Sequence, residues 1–192
     1  MKTLALYILL LFSIIACKEN YSPKPFEYFR IDLPEKKYTY FDTNACFYSF
    51  QYPVYSRIEP YTDENNKAKD TCWINIFFPA FKATIHITYH KLHNNLYKYI
   101  EECHMLAYKH DFKADAINET LYIDTLNKIY GMVYEIKGNA ASPVQFYLTD
   151  SVNHFVRGSL YFNVKPNKDS LAPVIEFIKQ DIKKLIETFK WK

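Results

Sequence analysis

Glycine is almost absent: three occur in 192 residues. Phosphate-cradling loops use glycines to bring backbone N–H groups against an anion, and neither G-x-G-x-x-G nor G-x-x-x-x-G-K-[ST] occurs here. Nucleotide binding by those routes is excluded. A charge imbalance is missing too. The chain holds 24 Lys and Arg against 21 Asp and Glu, net +3, with the signs interspersed. That pattern offers no basic face, and no nucleic-acid partner is expected. Cysteines number four, and the spacings among Cys46, Cys72 and Cys103 match no zinc pattern. No metal, cofactor or catalytic residue is expected.

Aromatic residues are abundant, with 18 Tyr and 15 Phe. The chain opens Met1-Lys2-Thr3, and Leu4 to Ala16 is then apolar except for Ser13. A helix of that length reaches about 20 Å, against roughly 30 Å for a bilayer core. It is too short to span comfortably and suits a signal-peptide core better than a single-pass anchor. It ends Ile14-Ile15-Ala16-Cys17, which resembles the bacterial lipobox. That resemblance implies a diacylglycerol-modified Cys17 and cleavage just before it, in preference to a disulfide or metal role for this cysteine. Removing residues 1–16 takes away one charged residue, Lys2, and leaves a near-neutral chain.

The expected organisation is a lipoprotein signal peptide (1–16), a lipidated cysteine with an extended strip (17–40), and a single globular domain (41–192). Pro23, Pro25 and Pro34 keep the strip out of the helical region. Tyr21, Phe26, Tyr28 and Phe29 make it too aromatic for a solvated tether. It either lies along the domain surface or docks a partner.

Strand patterns follow. Cys46–Tyr52 is closed by Pro53 and continued briefly over Val54–Ile58. Tyr61–Asp70 is polar loop, and Thr71–Phe78 a strand. Lys82–His90 shows strict period-two alternation. A helix capped by Asn94 or Asn95 carries Leu96, Tyr99, Ile100, Cys103, Leu106, Ala107 and His110 on one face. Strands are predicted at Ala116–Thr125, Lys128–Lys137, Val144–Asp150 and His154–Asn163. A final helix, capped by Asp169 or Ser170, has the apolar stripe Leu171, Val174, Ile178, Ile182, Leu185, Phe189. Short links favour antiparallel pairing. The fold class is α+β, a mainly antiparallel sheet flanked by amphipathic helices. The element order resembles the α/β/α sandwich of the PsbP/Mog1-like proteins, a likeness of fold and not of function.

With Cys17 lipidated, three cysteines remain, which in an oxidising compartment suggests one pair and one free thiol. Cys46 and Cys72 each open a strand-like run and form a possible disulfide. Cys103 falls on the apolar helix face, where a thiol packs as a small hydrophobe. His86 and His90 share a strand face but stand about 13 Å apart at about 3.3 Å per residue, too far for one ion; a site of His90, His93 and a distant ligand is the remaining option. Asp150, Ser151 and His154 offer triad side chains crowded into one turn without a nucleophile elbow. Glu101 and Glu102, adjacent on a helix, point apart.

One constellation stands out. "GNAASPVQFYLTDSVNHFVRG" strings Asn139, Ser142, Gln145, Asp150, His154 and Arg157 along a hairpin. Arg157 interrupts an otherwise apolar strand and needs a partner, for which Asp150 is the candidate. The set is read as a structural polar network, or else as a ligand or partner site.

The stretches "PKPFEYFRIDLPEKKY" (23–38), "CWINIFFP" (72–79), "YKHDFKADAINE" (108–119), "GNAASPVQFYLTDSVNHFVRGSLYF" (138–162) and "LIETFKW" (185–191) resemble, in this order, the gliding motility lipoprotein GldD family of the Bacteroidetes. Glu27 departs from a P-x-G-Y pattern, where glycine is expected. The resemblance implies a lipid-anchored envelope component required for gliding and carries over no catalytic residue; with no catalytic motif in the sequence, a non-enzymatic assembly or stabilising factor is expected. The resemblance further implies association with other gliding and type IX secretion proteins, a membrane held through the lipid at Cys17, and a place at the periplasmic face of the outer membrane. Lys18 after the cysteine agrees with that sorting. The rival function is a periplasmic ligand-binding or hydrolytic domain using hairpin 138–162.

Overall fold

Alternation builds the strands and one apolar stripe builds each helix. The computed structural model describes residues 31–62, 70–109, 114–164 and 167–192. In chain order it has β1 (Tyr38–Asp42), β2 (Tyr48–Pro53), β3 (Arg57–Pro60), β4 (Ile74–Phe78), β5 (Ala83–Lys91), α1 (Leu96–Tyr108), β6 (Ala114–Asp124), β7 (Ile129–Gly138), β8 (Val144–Thr149), β9 (His154–Phe162), α2 (Lys168–Glu187) and β10 (Lys190–Trp191). Ile31–Lys192 forms one compact unit. Cys17 with its expected lipid, the strip up to Arg30, residues 63–69 of the polar loop, and His110 lie outside the described residues.

Seven strands pair antiparallel throughout, in the order β3-β4-β5-β9-β8-β7-β6, and β1-β2-β10 form a smaller antiparallel sheet. Period two sends Ile85 and Ile87 of β5, Phe146 and Leu148 of β8, and Val156 and Leu160 of β9 to one face of the large sheet. There they meet Val174, Ile178, Ile182 and Leu185 of α2, together with Tyr48 and Phe50 of β2. The opposite face receives α1, with Cys103 and Ala107 against Tyr134, Ile136, Tyr147 and Phe155. The layers are helix, sheet, helix.

Two of the three glycines sit where a side chain has no room. A Cβ on Gly158 would lie 2.2 Å from the Phe146 ring, and one on Gly131 would lie 2.1 Å from the Tyr147 carbonyl oxygen. Gly158 therefore lets Phe146 cross β9 and reach the α2 core.

Three local expectations are corrected. Asn167, not Asp169 or Ser170, caps α2: its side chain accepts the backbone N–H groups of both those residues at 3.2 and 3.3 Å. The run after Pro53 does not continue β2. Ser56 donates its backbone N–H to the Pro53 carbonyl, a turn that carries the chain into the other sheet as β3. β1 and β10 were not foreseen, because short strands of a small sheet show too little alternation to be read.

Candidate functional site

The hairpin residues separate on folding. Side chains at 145, 147, 155, 157 and 159 face α1, and those at 144, 146, 148, 156 and 160 face α2. Arg157 and Gln145 share the α1 face, and the Arg157 Nη2 donates to Gln145 Oε1 at 2.8 Å. This corrects the expected Asp150–Arg157 pair. Asp150 is occupied in the β8–β9 turn, where Oδ1 accepts the N–H groups of Val152, Asn153 and His154 at 3.0, 2.8 and 2.8 Å. Burial alone would raise its carboxyl, but those N–H groups and His154 outweigh it and hold it below the ordinary carboxylate value. Ser151 is exposed in this turn with φ 69°.

His154 goes to the other face. It stacks on Trp191 at 5.3 Å and on Phe47 at 5.7 Å, and its Nδ1 shares a 2.8 Å hydrogen bond with the Tyr89 hydroxyl. Asn139 is exposed at the β7–β8 turn, the far end of the hairpin from Asp150. The six residues therefore form no single concave site, and the turn containing Asp150, Ser151 and His154 holds no nucleophile–base pair.

Register shows something the linear reading missed. Asn75, His86, Ser159, Gln145 and Tyr134 lie directly across from one another on β4, β5, β9, β8 and β7, a polar row over five strands. Ser159 and Gln145 are each 2 % exposed. His86 bonds Asn75 at 2.7 Å, and burial, helped by the Arg157 charge, lowers its pKa. Among the described residues, Ser142 Oγ, Gln145 Nε2 of the row and Arg157 Nε are buried without a hydrogen-bond partner. His90 stacks on Tyr99 of α1 at 4.6 Å. Among the described residues no three His, Cys, Asp or Glu gather as a metal set.

A second cluster joins the start of the domain to α2. Lys36 Nζ donates to Asp181 Oδ1 at 2.7 Å, to the Phe177 carbonyl at 2.7 Å and to the Tyr55 hydroxyl at 3.0 Å, and lies 3.3 Å from the Phe177 ring centroid. Tyr38 and Tyr55 donate their hydroxyls to the two Asp181 oxygens at 2.9 and 2.7 Å. Asp181 is 2 % exposed. Desolvation lowers the Lys36 pKa against the pull of Asp181. A signal for this site was present: Asp181 falls three residues after Ile178 and four before Leu185, on the buried stripe of the helix.

Cys46, Cys72 and Cys103 are buried free thiols. The bridge expected between Cys46 and Cys72 is not formed in the structure, where both are free thiols. Each thiol reaches the carbonyl of the other's loop, Cys46 to Thr71 at 3.4 Å and Cys72 to Ala45 at 3.0 Å. Burial, followed by the Cys72 contact, pushes Cys46 up to about 12.

The fold is similar to the solution structure of cyanobacterial PsbP (CyanoP) from Synechocystis sp. PCC 6803. The TM-score is 0.51 at 10% identity, over 83% of this chain and 95% of that one. At that identity the likeness is one of fold alone. No curated protein matches the sequence. The model of the gliding motility lipoprotein GldD family matches residues 18–191. The chain belongs to the GldD family. It is thus a lipoprotein related to gliding motility and associated with the cell envelope. Among the described residues of this family member, no helix is long and apolar enough to cross a membrane.

Proposed function

We propose that the chain is a non-catalytic assembly or stabilising factor of the gliding and type IX secretion machinery, held by lipid on Cys17 at the periplasmic face of the outer membrane. The family match over residues 18–191 carries this reading. Three further points support it: the lipobox-like end of the apolar segment, the separation of the hairpin's polar residues, and the Lys36–Asp181 cluster. That cluster ties the chain leading from Cys17 to the core helix. Lys36 lies 19 positions after Cys17. At no more than about 3.6 Å per residue, the domain stays within roughly 70 Å of its anchor. Two or three acyl chains, at about 0.8 kcal/mol per buried methylene, hold it there durably.

Cys17→Ala tests the anchor. Metabolic labelling with a fatty-acid probe should mark the wild type and not the variant, and the variant should leave the membrane fraction or remain unprocessed. Equal labelling of both would overturn the reading.

We also propose that Cys46 and Cys72 join when a disulfide-bearing oxidant takes their two protons and two electrons, locking the start of β2 to the loop before β4. Alkylation before and after reduction, read by peptide mass, should find this pair oxidised in envelope fractions and Cys103 reduced. Finding both thiols fully alkylated without reduction would exclude it.

A further inference from the structure

The two edges of the large sheet are treated differently. The β3 edge has four residues, carries Arg57 and ends at Pro60, devices that blunt an edge against pairing. The β6 edge runs over 11 residues and contains neither proline nor a basic residue. Its register breaks at Ala114/Ala116 and is then continuous against β7 to Asp124. Among the described residues β6 has a strand on one side only, and its outer backbone groups are open to pairing. On its α1 face Leu121 and Ile123 are 62% and 57% exposed, and Leu126 at the adjoining turn is 94% exposed. On its α2 face Thr120 and Tyr122, with Val133, Ile182 and Ile186, line a groove of about 410 Å³ against α2.

Charge selects the occupant. β6 carries Asp115, Glu119 and Asp124 and no cation. The groove lining adds Glu135, Glu176 and Glu187 against Lys179 and Lys183, so acid still exceeds base: Lys179 is shared by Glu135 and Glu176 at 2.9 and 3.0 Å, and Lys183 pairs with Glu187 at 3.8 Å. A second copy laid antiparallel on this edge would bring six carboxylates together. An extended segment with lysine or arginine between apolar residues instead meets opposite charge and covers Leu121 and Ile123.

We propose that Ile117–Asp124 is a strand-addition site for an extended, basic segment of an envelope partner. Main-chain pairing supplies affinity, and alternate side chains over Leu121/Ile123 and over Thr120/Tyr122 supply specificity. The site goes beyond the assembly reading and does not depend on it, since the edge can be probed without gliding or secretion.

The test uses the full lipidated chain in detergent with three synthetic peptides. One alternates lysine with valine, one alternates glutamate with valine, and one is the lysine peptide with a central proline. The lysine peptide should slow amide exchange across residues 117–124, bind at least about tenfold more tightly than either control, and weaken as salt rises. A Leu121→Lys/Ile123→Lys variant changes only exposed side chains; it should keep its urea midpoint and lose the protection. Equal binding of the glutamate peptide, protection confined to another strand, or no protection overturns the proposal. So does sedimentation showing a dimer without peptide that the double substitution abolishes.

Discussion

The two faces of the seven-stranded sheet do different work. The α2 face is aliphatic and aromatic, closed by Ile178, Ile182, Leu185 and the ring stack of Tyr48, Phe50 and Phe189. Its buried charge, Asp181, is bonded by Lys36, Tyr38 and Tyr55. The α1 face carries a polar row and an arginine, and among the described residues Gln145 Nε2 and Arg157 Nε on it are buried without partners. Burial of apolar surface dominates folding energetics, whereas an under-satisfied polar group subtracts from them. The α2 face therefore holds the fold, and the α1 face keeps its polar residues at a loss of stability. Retention of that kind makes Arg157 and Gln145 worth testing beyond their structural role.

The largest effect should come from the α2 face. Phe146 is 1% exposed and fills the space above Gly158, and Phe146→Ala should lower unfolding free energy by about 3–5 kcal/mol in urea titration. A loss no larger than that of an α1-face substitution would end the contrast between faces.

Asp181→Ala comes next. It leaves the Lys36 ammonium and two phenols without their acceptor. Breaking a fully buried pair costs about 3–5 kcal/mol. The Lys36 side chain is 24% exposed, which brings the expected loss to about 2–3 kcal/mol. Lys36→Met should cost less, since the two tyrosines still satisfy the carboxylate. Limited proteolysis should then cut ahead of β1 sooner in Asp181→Ala than in wild type.

Arg157→Ala on the α1 face should cost about 1–2 kcal/mol, the scale of one charged hydrogen bond, by leaving Gln145 Oε1 without its donor. Gliding should fall only as far as the folded protein does. A variant as stable and abundant as wild type that still fails to glide would transfer Arg157 from structure to function.

The smallest effect is in alkali. Burial pushes the phenols of Tyr48, Tyr55 and Tyr134 well above the ordinary tyrosine range, and brings Tyr89 and the thiol of Cys103 to about 12. An unfolded tyrosine ionises near pH 10 and a free thiol near 8.5. Above those values the unfolded chain releases protons that the native state keeps, so stability is full below about pH 8 and falls as pH rises toward 12. Urea midpoints from pH 8 to 11 should decline accordingly. Tyr134→Phe should remove part of the decline contributed by the α1 face, whereas Tyr48→Phe tests the α2 face.

Much of the fold was legible because periodicity is local. The alternation of Ala83 to His90, the stripe from Leu171 to Phe189 and the short links between strands are set by neighbours in sequence, and the structure keeps them as β5, α2 and antiparallel pairs. The placement of Cys103 on a buried helix face follows from the same rule. Partners were not legible, because a partner depends on register and on which strand lies beside which. Asp150 is near Arg157 along the chain, yet the turn backbone claims it, and pleating turns Gln145 toward the guanidinium instead. Lys36 and Asp181 are 145 residues apart, and only the packing of α2 against the start of the domain joins them. The row from Asn75 to Tyr134 exists only once five strands are aligned. Covalent order settled which residues would be buried. Tertiary pairing decided what each buried polar group would meet, since hydrogen bonds and ion pairs act over a few ångströms and ignore distance along the chain.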